Sequence, residues 1–105
     1  MKAVAETKPM TPEEIAQAAA RIIHKHLGSE YRVFLFGSRA TGSARRGSDY
    51  DIGVEGPRPI NARDKFAIEE EIEKEIPTLA TIEIVDFNHV SDRFRRVAML
   101  ASEDL

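Results

Sequence analysis

Residues 37–51 read GSRATGSARRGSDYD, a glycine-rich basic loop that runs into two acids one residue apart. RVFLF at 32–36 precedes it, a run of strand formers too short for a helix and ended by Gly37, which reads as a buried strand. DIGV at 51–54 follows it, and this second strand continues until Gly56-Pro57-Arg58-Pro59 breaks it. Gly37 therefore sits where a strand must turn sharply, and a turn without a side chain can present backbone N–H groups to an anion. A helix opening at Ser38 would add its positive end. The spacing from Gly37 to Gly42 copies the start of a Walker A loop, but Ser43-Ala44 stands where Lys-Ser or Lys-Thr is required, which excludes a P-loop. Taken alone, such a loop is a plain turn.

The acids change its meaning. Residues two apart in a strand face the same side, so Asp49 and Asp51 would present paired carboxylates while Tyr50 points into packing. Hard oxygen donors so arranged suit Mg²⁺, which takes one or two carboxylates and fills its shell with water and substrate phosphates. An isolated Ser-Asp-x-Asp would instead be an Asx turn, with Ser48 and Asp49 capping loop amides. A phosphate cradle ending one strand and a metal pair opening the next would hold a metal-bound triphosphate from both sides, which neither piece explains alone.

Outward from this segment, Thr11-Pro12-Glu13-Glu14 combines an N-cap threonine, proline at the first helical position and a glutamate that closes a capping box. Ile15, Ala18, Ala19, Ile22, Ile23 and Leu27 follow as one apolar stripe, and Gly28 ends the helix. Residues 61–76 are helical in pattern, with Phe66 on one flank, Ile68, Ile72 and Ile76 at four-residue steps, and a solvated face of Glu69, Glu70, Glu71, Glu73 and Glu75 ended by Pro77. TIEIVDF at 81–87 is the clearest strand, and Phe94, Val97, Ala98 and Ala101 after Ser91 mark a short last helix. The order helix, strand, short helix, strand, helix, strand, helix implies an α+β fold, a small mixed sheet with helices packed on it. Ser102 to Leu105 reads as a frayed tail. His24 and His26 lie two apart on the first helix and face different ways, which suits surface or edge positions better than a metal pair, and His89 reads as a solvated loop residue.

The 105 residues fit one domain with its core at about 11–101, and the formal net charge of −3 gives no general attraction to nucleic acid or anionic membrane. With no cysteine, disulfides, zinc-thiolate sites and thiol catalysis are excluded, in keeping with a cytoplasmic setting. No apolar run approaches the roughly 20 residues of a membrane span, and MKAVAETKPM lacks the apolar stretch of a signal peptide.

Gly37-Ser38, ten intervening residues and Asp49-x-Asp51 resemble the signature of the nucleotidyltransferases of the DNA polymerase beta superfamily. The wording GSRATGSARRGSDYDIGV is most similar to its smallest branch, the minimal nucleotidyltransferases, over Arg32 to about Asn88. The resemblance implies that Gly37 and Ser38 bind the polyphosphate of ATP and that Asp49 and Asp51 hold two Mg²⁺ ions. Arg39 and Ser48, beside the loop, are further candidate contacts for the nucleotide, and Arg45 and Arg46 add local positive charge. The family uses a third carboxylate on a neighbouring strand, and in Ile82-Glu83-Ile84-Val85-Asp86 the motif favours Glu83 over Asp86 as catalytic acid and metal ligand. Glutamate there departs from the usual aspartate. Members of this branch pair with helical HEPN proteins and transfer AMP from ATP to a partner tyrosine, so the resemblance implies a protein adenylyltransferase and antitoxin with a HEPN-type partner, its assembly a homo- or a hetero-oligomer. Two alternatives stay open: a module that neutralises its partner by contact alone, and transfer to a small-molecule hydroxyl.

Overall fold

Thr11 starts the first helix with a full capping box: its hydroxyl accepts from the Glu14 amide at 3.1 Å, and the Glu14 carboxylate accepts from the Thr11 amide at 2.8 Å. This helix, α1, spans Pro12–Leu27 in a computed structural model that describes residues 9–105. The expectation of a polar lead without a signal peptide falls largely on residues 1–8, outside the described residues. Gly28 ends α1 at φ 98°, a backbone that favours glycine, and its N–H donates to the His24 carbonyl.

After α1 come strand β1 (Arg32–Phe36), a single helical turn α2 (Ser38–Thr41), strand β2 (Tyr50–Glu55) and helix α3 (Ala62–Glu75). Strand β3 (Ile82–Asp86), helix α4 (Asp92–Ala98), a 3₁₀ turn at Met99–Ala101 and strand β4 (Glu103–Asp104) complete the fold. The expected α+β architecture is the one observed, a four-stranded mixed sheet in the order β3-β2-β1-β4. β1 pairs antiparallel with β2 and β4, whereas β2 and β3 are parallel and joined through α3.

The tail is a correction to the sequence reading. Residues 103 and 104 pair with Leu35 and Phe34, and the Leu105 amide donates to the Val33 carbonyl at 2.9 Å. Without β4 the outer edge of β1 would present unpaired backbone groups, and Leu105 adds an apolar side chain to the core below.

Alternation along the strands divides the interior into two layers. Val33, Leu35, Tyr50, Ile52, Val54 and Ile84 face α1 and α3, where Ile15, Ala19, Ile23, Ile68 and Ile72 meet them. Phe34, Phe36 and Phe87 face the other way with Ala98 of α4. The Phe34 and Phe87 rings stack edge-on at 4.8 Å over Gly53, where a Cβ would lie 2.4 Å from Phe34 and 2.8 Å from Phe87. The middle of β2 must therefore be glycine for the aromatic layer to close. This layer covers the α4 side only in part, and the rest carries the acids described below.

Glu71 clamps α3 to α1. Lys25 donates to one carboxylate oxygen at 2.7 Å and His26 Nε2 lies 2.8 Å from the other, on a side chain only 16% exposed. The other four glutamates of the α3 face are exposed as expected, but Glu71 turns inward. Phe66, expected to flank the apolar face, is instead 65% exposed. His24 and His26, expected at surface or edge positions, are half-buried, and His24 bonds the Tyr31 carbonyl at 2.8 Å.

The hydrogen bond from Lys25 and then that from His26 pull the Glu71 carboxyl from 4.5 down to about 2. A depressed carboxylate contributes stability above its unfolded value and loses it as pH falls toward the folded value. Glu71→Gln is expected to lower the melting temperature at pH 7 and to flatten the decline that wild type shows between about pH 4.5 and 2. Thermal unfolding followed by circular dichroism across that window measures this, and parallel curves for the two proteins would contradict it.

Candidate functional site

The antiparallel register of β1 and β2 sets Phe36 opposite Asp51, so the residue after Phe36, Gly37, turns directly against the Asp51 carboxylate. A Cβ built on Gly37 would lie 2.3 Å from Asp51 Oδ2, and its φ of 75° is one that side chains resist. Gly37 is thus required twice over. The chain next winds into α2, with the Ala40 and Thr41 amides donating to the Gly37 carbonyl at 3.0 and 3.1 Å. Gly42 closes this turn in the left-handed region at φ 84°. The sequence reading of a helix opening at Ser38 matches this turn, and Gly37 caps it without a side chain.

The parallel register of β2 and β3 sets Glu83 beside Asp51. Both belong to the sheet side that carries Phe34, Phe36 and Phe87, because they alternate with Ile52 and Ile84 of the opposite layer. Asp49 lies one residue before β2, exposed at the end of the loop. Burial first, then the charges of Glu83 and Asp49, raise the Asp51 carboxyl above its ordinary value. Asp51 thus feels like charge from both sides, and that repulsion is the electrostatic demand a cation would meet.

Asp86 has a different task. Its carboxylate accepts from the Ile60 amide at 2.8 Å and the Asn88 amide at 2.9 Å, fastening the segments that leave β2 and β3. It stands opposite Val54, away from Asp51, so Glu83 is the acid that the fold sets beside the pair. His89 is an exposed turn residue whose N–H donates to the Asp86 carbonyl.

A family model described as polymerase beta, nucleotidyltransferase matches residues 15–104. The chain belongs to this nucleotidyltransferase family. No curated protein matches its sequence. Among solved structures it is similar to a toxin–antitoxin complex with AMP-PNP, at 16% identity over 84% of this chain and 70% of that one, with a TM-score of 0.66. It is also similar to a tri-AMPylated HEPN toxin in complex with MNT antitoxin from Shewanella oneidensis, at 12% identity over 90% and 71% of the two chains and a TM-score of 0.66. A toxin–antitoxin MntA-HepT structure aligns at 12% identity over 88% and 69%, with a TM-score of 0.64. At such identities the likeness establishes the fold.

Within the nucleotidyltransferase domain, two further loop residues named as candidate nucleotide contacts have partners inside the chain. Ser48 closes its own loop: its hydroxyl accepts from the Arg45 amide at 2.8 Å and its N–H donates to the Arg45 carbonyl at 2.9 Å. Arg39 turns to the opposite side of the sheet, its guanidinium 4.0 Å from the Tyr50 ring centroid and its Nη2 donating to the Ser48 carbonyl at 2.9 Å. Identical loop arginines look alike in sequence, and only the side that Tyr50 faces could have singled out Arg39.

Among the described residues, no group of three His, Asp or Glu side chains is arranged to hold a metal ion by itself. Glu83 stands next to Asp51 without joining it in a closed ligand cage. That is compatible with Mg²⁺, which needs only one or two carboxylates when phosphate oxygens complete its shell, and the unneutralised acids around Asp51 fit a hard cation.

Gly37→Ala should lower stability by about 1–3 kcal/mol, because it combines a strained φ with a clash on the Asp51 carboxylate. Gly28→Ala makes a useful reference, since its φ is also positive but a Cβ there meets nothing within 4 Å. Urea unfolding of both variants is expected to show the larger loss at Gly37, and equal losses would mean that the Asp51 contact contributes nothing.

Proposed function

We propose that this domain transfers AMP from ATP to a hydroxyl of a protein partner, a HEPN-type helical chain whose toxicity it thereby neutralises. The observation that carries this reading is the register that sets Glu83 beside Asp51, with Asp49 one step before it and the Gly37 turn against the same carboxylate. Family membership supports nucleotidyl transfer, and the similar structures include a complex with AMP-PNP and a tri-AMPylated HEPN toxin with its MNT antitoxin.

In this reading Gly37 and Ser38 bind the polyphosphate, and Asp49 and Asp51 hold Mg²⁺. When bound, the metal neutralises phosphate charge and activates the acceptor oxygen. The Glu83 carboxylate takes the proton of the acceptor hydroxyl. The acceptor oxygen forms a bond to the α-phosphorus as the bond to the β-phosphate oxygen breaks, and pyrophosphate leaves with that electron pair.

A protein acceptor is favoured by the surface beside the acids. Phe94, 43% exposed, touches Phe36, whose strand neighbour is Asp51. Val97 and Leu100 extend this apolar row along α4 and the 3₁₀ turn at 63% and 84% exposure. A contiguous apolar row next to a site suits a protein surface better than a small polar acceptor. The domain as a whole, residues 1–105, would then be a single transfer module.

Incubation with Mg²⁺, labelled ATP and the partner is expected to label the partner. Asp49→Asn with Asp51→Asn should cut the label by roughly 100-fold or more, since losing metal ligands costs more than the 10–100-fold typical of residues behind them. An unlabelled partner in the presence of folded, nucleotide-binding protein sinks the transfer reading. A second reading, neutralisation by contact alone, is motivated by Glu83 at a position where the family resemblance implies aspartate. It predicts that the double variant neutralises as well as wild type.

The partner surface has its own test. Val97→Asp with Leu100→Asp should weaken partner binding by roughly 10-fold or more, as loss of buried apolar anchors does, while ATP binding by the free chain stays unchanged. Partner affinity equal to wild type in pull-down or calorimetry would remove α4 from the interface.

A further inference from the structure

Among the described residues Asp49 has no hydrogen-bond partner that would fix its carboxylate, yet both of its chain neighbours are held. On one side, the Ser48 carbonyl accepts two hydrogen bonds from Arg39, from Nη2 at 2.9 Å and from Nε at 3.3 Å. On the other side, the Tyr50 ring is buried under the same guanidinium at 4.0 Å, and the Tyr50 amide donates to the Thr81 carbonyl at 2.8 Å. One side chain therefore grips the residues before and after Asp49. That side chain springs from the first turn after Gly37, the turn that abuts Asp51.

We infer that Arg39 is a positioning residue that sets the Asp49 carboxylate beside Asp51 from the opposite side of the sheet. The inference rests on the reading of Asp49 and Asp51 as cation ligands, but it assigns Arg39 a task other than phosphate contact. The physical need is plain in the charges. Asp49 and Glu83 both bring like charge to Asp51, and Asp49, exposed and one residue outside the strand, lacks the ladder hydrogen bonds that hold Asp51 and Glu83 in place. A planar guanidinium suits the task because it can donate through two nitrogens to one carbonyl while its face rests on an aromatic ring, which an ammonium cannot match. Placed behind the strand, Arg39 resists the swing of the loop without neutralising the acids, so their charge stays available to a cation.

The sign of one effect separates this role from a generic charge effect. Removing a nearby positive charge should, by Coulomb attraction alone, tighten the binding of a divalent cation. Losing a positioning contact should weaken it. We expect Arg39→Gln in the full chain to bind Mn²⁺ about 10-fold more weakly by electron paramagnetic resonance titration, in line with residues that orient metal ligands. Nucleotide affinity measured at saturating Mn²⁺ should be little changed. Arg39→Lys keeps the charge and can rest on Tyr50 but lacks the second donating nitrogen of the planar fork, so it should recover part of the lost affinity. Arg46→Gln, which removes an equal charge from an exposed position in the same loop, should not weaken Mn²⁺.

Mn²⁺ affinity in Arg39→Gln equal to or tighter than wild type overturns the inference. So does a loss confined to nucleotide affinity, which would make Arg39 a phosphate contact. If Arg39→Gln fails to fold, Arg39→Lys decides, and wild-type Mn²⁺ affinity there overturns the inference. Wild-type protein that takes up no Mn²⁺ even with a non-hydrolysable ATP analogue present would instead remove the cation site itself, and the inference with it.

Discussion

Between the backbone of Gly37 and the carboxylate of Asp51 there is no room for one more carbon atom, and much of the site follows from that contact. The antiparallel pairing of β1 with β2 brings the end of one strand against the beginning of the next, opposite Phe36. A chain that leaves β1 must there turn through a backbone angle open to glycine, wind one turn of helix and return ten residues later with its acids already in place. The parallel pairing with β3 then adds Glu83 at the same level of the sheet. The acid pair, the glycine turn and a neighbouring acid thus come from three segments whose relation is set by backbone hydrogen bonds, before any side chain is chosen.

The packing explains why such a small sheet can hold that arrangement. One side is fully used, with α1 and α3 burying a continuous aliphatic layer that Glu71 helps to clamp. The other side is finished only over Phe34, Phe36 and Phe87, where Gly53 lets the rings descend onto β2. Stability is concentrated behind the sheet and under the aromatic rings, which leaves the acid end uncovered.

Much of this was legible in the sequence. The strands at 32–36 and 81–87, the capping box at Thr11 and the spacing of Asp49 and Asp51 each rest on local patterns that the fold does not override. The family motif at 82–86 already favoured Glu83 over Asp86, and alternation along β3, which depends on the strand alone, keeps the two on opposite faces. What escaped notice depended on distant partners. Glu103 and Asp104 have no strand-like pattern, and their pairing comes from the exposed edge of β1. Glu71 resembles the four other glutamates of its face until α1 lies across it. Arg39 is one of several loop arginines until Tyr50 is seen to face backward.

The stacking of Arg39 on Tyr50 has a consequence for how this molecule can be observed. The chain contains no tryptophan and two tyrosines, and the other, Tyr31, is buried with its hydroxyl donating to the Arg58 carbonyl. One of the two rings that absorb in the near ultraviolet above the phenylalanine bands therefore has the loop of the candidate site as its immediate neighbour. The fold has placed an intrinsic chromophore behind its own acids, so optical spectra of the unlabelled protein report on the loop that carries Asp49.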